Sequence, residues 1–183
     1  MPSEYRKISE RLFPAAGFIP GRGPDLKTIA GFADALGIGT EYQRLLAIDR
    51  NSGEVQGFLD SFQNNLDLLI QKTWVEKADE RRKEKLQDDV TPLMNMINQG
   101  DLYKAIEEFG VILNELAYLF FGVQSGKDDF TEYTFRIDSQ IGLFWWYGGR
   151  LAMIKNLRDK NGQRDDDVLW AVLLIGLCYL TNF

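Results

Sequence analysis

The sequence predicts an all-α protein: a helical bundle of six to eight helices, with one long helix over about 54–89 and a buried C-terminal helix pair. Three observations predict it. Apolar residues recur at three- and four-residue spacing along most of the chain, and no stretch alternates apolar with polar residues over a useful length. Residues 141–154 contain a single charge, Arg150, so a helix there is apolar on every face and has to be wrapped by neighbours. The apolar run Val168 to Leu180 is short of the roughly 20 residues a membrane span needs, and reads as a second buried helix.

The elements follow in order. Ser3 can cap a short helix through Phe13, with Tyr5, Ile8 and Leu12 on one side. Pro14 to Pro24 is a loop by its prolines and glycines. Asp25 caps a helix carrying Leu26, Ile29, Phe32, Ala33 and Leu36, which Gly37 ends. Thr40 caps the next, carrying Tyr42, Leu45, Leu46 and Ile48, which stops at Asn51-Ser52-Gly53. From Glu54 the helical spacing of Val55, Leu59, Phe62, Leu66, Leu69, Ile70 and Trp74 continues without a breaker, which predicts a rod of roughly 50 Å. Its second half, Glu76 to Asp89, is dense in mixed charge and predicts projection into solvent or pairing with another chain. Thr91-Pro92 then opens a short helix to Gly100, since proline suits a first helical position.

Asp101 caps the most regular helix, in which Leu102, Ile106, Phe109, Leu113, Leu116 and Phe120 form a bundle seam. Lys104, Glu108 and Glu115 fall opposite. After a loop at 122–129, polar flanks (Thr131, Glu132, Arg136; Lys155, Arg158, Asp159) predict that the central helix emerges from the core at both ends. Gly148 and Gly149 each cost a helix about 1 kcal/mol relative to alanine, which close approach of a neighbour or a kink would explain. Asn161-Gly162 closes that helix. Asp165 to Asp167 open the last one, where the helix dipole favours carboxylates.

Composition bounds the function. The chain of 183 residues reads as one helical domain, 1–183, with residues 1–50 a candidate N-terminal helical subdomain before a bundle at 51–183. Its 21 basic and 27 acidic side chains give a net charge of −6, which argues against a chain devoted to nucleic acid or to an anionic membrane. A single cysteine, Cys178, excludes an internal disulfide framework and suits the cytoplasm. No signal-peptide pattern opens the sequence, because Ser3 to Phe13 is charged and amphipathic.

Chemistry is sparse. The chain has no histidine, so the commonest general base is missing. No catalytic residue, cofactor or metal is assigned. Cys178 lies in an apolar run where a thiolate is disfavoured. Asp67 and Glu115 fall opposite their seams and are expected to be solvated. Arg150 needs a carboxylate or the surface, and Asp138, one turn before Ile141, is its expected partner. The alternative is an anion-binding pocket formed by Arg150 with Trp146, Tyr147 and Asp138. The segment from Asp49 to Asp60 superficially resembles a calcium-binding EF-hand loop, but its glycine stands one place early and a helix-connecting turn is expected. The glycines of 17–23 precede a helix start but lack the Gly-Lys-Ser/Thr ending of a phosphate loop.

Phe32-Ala-Asp-Ala-Leu-Gly-Ile-Gly-Thr40 resembles the turn of a helix-turn-helix DNA-binding unit, with Ala33 and Gly37 at that motif's small-residue spacing and Ile38 and Leu46 at its apolar positions. Upstream, Leu12-Phe13-Pro-Ala-Ala-Gly17-Phe18 is similar to the end of the first helix in tetracycline-repressor-type regulators. That resemblance implies a DNA-binding head in 1–50, with Arg44 and Arg22 on phosphates, and a ligand-binding and dimerising domain in 51–183. The chain departs from the pattern: the connection from Phe18 to Phe32 is about six residues long in excess, Gln43 stands at an apolar position, and Glu41 and Asp49 would face phosphates. The first expectation is therefore a non-enzymatic interaction or ligand-binding module acting as a homo-oligomer, its interface including part of Glu54–Asp89. A protein partner or small ligand is expected, membrane is not, and nucleic acid is the alternative.

Overall fold

The computed structural model describes residues 4–12, 25–72, 80–121, 139–151 and 166–183. These form eight α-helices: α1 Glu4–Leu12, α2 Leu26–Ala35, α3 Gly39–Leu46, α4 Gly53–Gln71, α5 Glu80–Asn98, α6 Leu102–Phe121, α7 Gln140–Arg150 and α8 Asp166–Thr181. The all-α bundle is as the sequence predicts. One connected core runs from Leu12 to Leu180.

Local chemistry sets most helix ends. The Thr28 N–H donates to Asp25 Oδ1 at 2.7 Å, which caps α2. At the other end Gly37 takes φ 76°, while the N–H groups of Gly37 and Ile38 reach the Asp34 and Ala33 carbonyls at 3.0 and 3.1 Å. This is the left-handed C-terminal closure that glycine permits. The same closure recurs at Gly100, φ 75°, where Gly100 and Asp101 donate to Ile97 and Met96. It turns the chain directly into α6, so α5 and α6 form a helical hairpin. Ser139 caps α7 by accepting from the Gly142 N–H at 3.1 Å.

Four expectations change. The helix expected over 54–89 is divided into α4 and α5. In a continuous rod residues 71 and 80 would lie about 13 Å apart along the axis, yet α4 and α5 pack side by side. The helix start expected at Thr91-Pro92 is absent, because Pro92 lies inside α5. Both Pro92 and Asp88, whose carbonyl loses its partner N–H, are exposed, so water can satisfy that carbonyl. Thr40 does not cap α3: the N-cap is Ile38, with no side-chain cap, and the helix ends at Leu46. The cap at Ser139 starts α7 there rather than continuing a helix from the polar residues before it. The expected features at Ser3, Trp74, 13–24, 122–138 and 152–165 lie outside the described residues.

The hub is α8. It packs against α2, α3, α4, α6 and α7, and Leu169 to Cys178 are buried without interruption. α7 beside it is buried from Gly142 to Gly148, with Ile141 exposed. Gly148 and Gly176 explain how closely the three core helices approach. A Cβ on Gly148 would stand 3.1 Å from Leu113 of α6, and one on Gly176 2.9 Å from the Phe109 ring. Among the described residues no helix is long and apolar enough to cross a membrane.

Candidate functional site

Trp146, Tyr147 and Arg150 lie together on the second half of α7. Tyr147 is fully buried; its hydroxyl donates to the Val172 carbonyl and its ring lies 5.9 Å from that of Phe32. Trp146 is 3% exposed, 6.5 Å from Phe32. Arg150, half-buried, ends α7 with its guanidinium 5.7 Å from the Trp146 ring centroid. A cation there suits the negative end of the helix dipole. Asp138 and Arg22 lie outside the described residues.

A groove of about 710 Å³ lies on another face, where the α2–α3 turn, the start of α7 and the end of α8 meet. The sequence reading missed it, since its walls come from residues 36–44, Gln140 and residues 179–183. One side is charged. Glu41 accepts from Asn182 Nδ2 at 3.0 Å, and Arg44 pairs with Glu54 of α4. The other side is aromatic. Tyr179 stacks on Phe144 with centroids 4.1 Å apart, and Phe183 sits edge-on to Trp145 at 6.1 Å. Gln140 bridges the two by donating to the Ala35 carbonyl at 3.3 Å, which satisfies a carbonyl at the end of α2. Asn182 also donates to the Cys178 carbonyl at 3.1 Å, which ties the groove to the hub helix.

Beneath the groove the titratable groups are held neutral. Burial raises the Cys178 thiol to about 12, the Glu41 carboxylate adding to the rise and Arg44 offsetting part of it. Burial likewise raises Tyr42 to about 12. Neither supplies a nucleophile at neutral pH.

Other sequence candidates fall as follows. Glu115 is not freely solvated: both its oxygens accept from Arg82 of α5, at 3.1 and 3.2 Å, and the guanidinium also lies 3.6 Å from the Tyr118 ring centroid. Asp67 is half-buried. The Asp49–Asp60 segment is not a calcium loop. Asp49 accepts from the Asn51 N–H at 2.8 Å, α4 already begins at Gly53, and Asp60 lies within that helix accepting from Gln56. Among the described residues no group of three or more His, Cys, Asp or Glu is placed to hold a metal. On α3, the would-be recognition helix, Tyr42 and Leu45 are buried, and Thr40, Gln43 and Arg44 are exposed. No protein-family model, curated protein or solved structure matches the chain.

Proposed function

We propose that this chain is a non-enzymatic ligand-binding module that works as a homo-oligomer in the cytoplasm, and that the groove at the α2–α3 turn receives the ligand. The observation that carries the reading is the groove itself. A recess of about 710 Å³ has Glu41 and Arg44 on one wall and Tyr179 and Phe183 on the other, so a charged side faces an aromatic one. Such walls favour an amphipathic molecule with an aromatic ring and a polar or charged group. The neutral state of Cys178 and Tyr42 beneath it supports binding over catalysis. A nuclear magnetic resonance screen of small aromatic acids and amines should yield ligands that shift signals of Gly37, Gln140 and Tyr179. Their affinity should fall on Tyr179→Ala. Hits that map elsewhere, or are indifferent to Tyr179→Ala, would reject the groove.

Oligomer formation is supported by Leu68 and Phe183, 52% and 44% exposed, which line one recess at the edge of α4 and α8. Leu68 falls inside the stretch expected to form the interface. Light scattering should give a mass above the 21.0 kDa of one chain, and Leu68→Glu should lower it. Monomer mass for the wild type at tens of micromolar counts against this part of the proposal.

The runner-up is a DNA-binding regulator. It is supported by the glycine-closed turn between α2 and α3 and by the exposed Thr40, Gln43 and Arg44. It is opposed by Glu41 beside them and by the pairing of Arg44 with Glu54, which neutralises a phosphate contact. Duplex retention at moderate salt that is lost on Arg44→Ala would promote it to first place.

A further inference from the structure

The amide nitrogens in the groove at the α2–α3 turn are already engaged. Asn182 Nδ2 donates to Glu41 Oε2 at 3.0 Å and to the Cys178 carbonyl at 3.1 Å. Gln140 Nε2 donates to the Ala35 carbonyl at 3.3 Å. The other polar atom of each amide is an oxygen, which can only accept, and so is the second oxygen of Glu41. Beside the Thr40 hydroxyl, which can turn either way, this wall therefore offers an occupant acceptors: Glu41 Oε1, Asn182 Oδ1 and Gln140 Oε1.

Charge points the same way. Among the described residues, Glu41 and Arg44 are the charged side chains that line the groove. Arg44 pairs with Glu54 of α4, so two carboxylates answer one guanidinium and a negative charge is left over. Glu41 is half-buried whereas Arg44 and Glu54 are exposed, so its attraction for an occupant is the less screened by salt and water. The helix dipoles do not reverse this balance. α2 and α8 end at the groove and α3 and α7 begin there, which brings dipole ends of both signs together.

The aromatic wall opposite is a corner. The Tyr179 and Phe183 rings have centroids 6.0 Å apart and planes inclined at 50°. Stacking on Phe144 holds Tyr179, and edge contacts with Trp145 and Phe120 hold Phe183. Such rings receive an apolar body and attract a cation over their faces.

We propose that the ligand of this groove is an organic cation, with a primary ammonium seated on Glu41 and an aromatic body against Tyr179 and Phe183. The proposal rests on the groove being a ligand site. An ammonium has three donors and no acceptor, which suits a wall of oxygens. A carboxylate would meet those oxygens and Glu41 with like charge.

Three probes of nearly one shape test it: phenethylamine, neutral phenethyl alcohol and anionic hydrocinnamate. Each is titrated at neutral pH and constant ionic strength into ¹⁵N-labelled protein, and the Gly37 amide and the Gln140 side-chain amide are followed. Phenethylamine should shift both signals saturably and bind about tenfold or more tighter than either counterpart. Glu41→Gln keeps an oxygen for the Asn182 bond and removes the charge. It should weaken the amine by about tenfold and leave the alcohol unchanged. Glu107→Gln, at an exposed carboxylate of α6 that does not line the groove, should leave the amine unchanged. An equal loss there would assign binding to the net negative charge of the chain and overturn the proposal. Tighter binding of the acid or the alcohol, or amine binding indifferent to Glu41→Gln, overturns the cation and leaves the groove standing as a ligand site. Silence of both signals towards all three probes overturns the cation together with the groove. The probe comparison uses wild-type protein and decides even if Glu41→Gln does not fold.

Discussion

The Tyr147 hydroxyl of α7 reaches the Val172 carbonyl of α8 across the bare Cα of Gly176. A Cβ on Gly176 would meet the Tyr147 hydroxyl at 3.1 Å and two Phe109 ring atoms at 2.9 Å. Two opposing effects therefore act in Gly176→Ala. Helix propensity would gain about 1 kcal/mol, but overpacking a rigid aromatic contact costs about 1–3 kcal/mol. The net expectation is destabilisation by up to about 2 kcal/mol, comparable with that of Tyr147→Phe, for which the lost hydrogen bond is worth about 0.5–1.5 kcal/mol. Urea unfolding of both variants checks the two losses. A stabilised Gly176→Ala would show that α8 is not held this closely.

Tyr42 is buried and its hydroxyl has no partner. Removing an orphaned polar group from the core removes a penalty of about 1–3 kcal/mol. Tyr42→Phe is thus expected to raise the melting temperature at neutral pH. A lowered one would mean that the hydroxyl is engaged.

The same region sets an alkaline limit. Burial raises the folded-state pKa of Cys178 from 9.0 and of Tyr42 from 10.0, each to about 12. A raised acid adds stability in full while its unfolded counterpart is still protonated, and loses it as pH rises to the folded value. Stability should therefore decline from about pH 9 towards 12. Tyr42→Phe should flatten the part above pH 10. Chemical denaturation at stepped pH tests both, and a wild-type profile flat to pH 11 would contradict them.

Glu108 of α6 is a carboxylate in an unfavourable place. Burial and the Asp89 carboxylate of α5 raise its pKa, and Lys85 offsets part of the rise. Since the raised value favours folding only below the ordinary 4.5, ionised Glu108 is a liability at neutral pH. Glu108→Gln should stabilise at pH 7, with the gain shrinking as pH falls below 5. A gain independent of pH would assign the effect to something other than charge.

Much of the fold is legible because its signals are local. Asp25, Gly37, Gly100 and Asp101 mark helix ends through bonds that span three to five residues, and the α6 seam from Leu102 to Phe120 is buried as its spacing implies. The division between α4 and α5 is not legible, because the charged stretch reads as an extension of α4 while the apolar set of α5 (Leu86, Val90, Leu93, Met94, Ile97) runs straight through Pro92. Only packing reveals that the proline faces water. Glu115 is misread for a similar reason: its phase is opposite the seam, but Arg82 comes from a helix whose fold-back the sequence conceals. The groove is harder still, since Glu41 and Asn182 are 141 positions apart.

Arg150 distinguishes charge from stacking. It ends α7, where a cation gains about 0.3–1 kcal/mol from the helix dipole, and its guanidinium lies 5.7 Å from the Trp146 ring centroid. Stacking of this kind adds about 0.5–1 kcal/mol at a partly open site. Arg150→Lys keeps the charge and gives up the planar stack; Arg150→Met keeps the apolar stem and gives up both. The expected order of stability is wild type, then lysine, then methionine, with the last gap narrowing at high salt because screening weakens the dipole effect. Equal losses in the two variants would place the whole contribution in the guanidinium's shape. A methionine variant as stable as wild type would mean that the cation serves something other than the fold, and would return Arg150 and Trp146 to the list of ligand contacts.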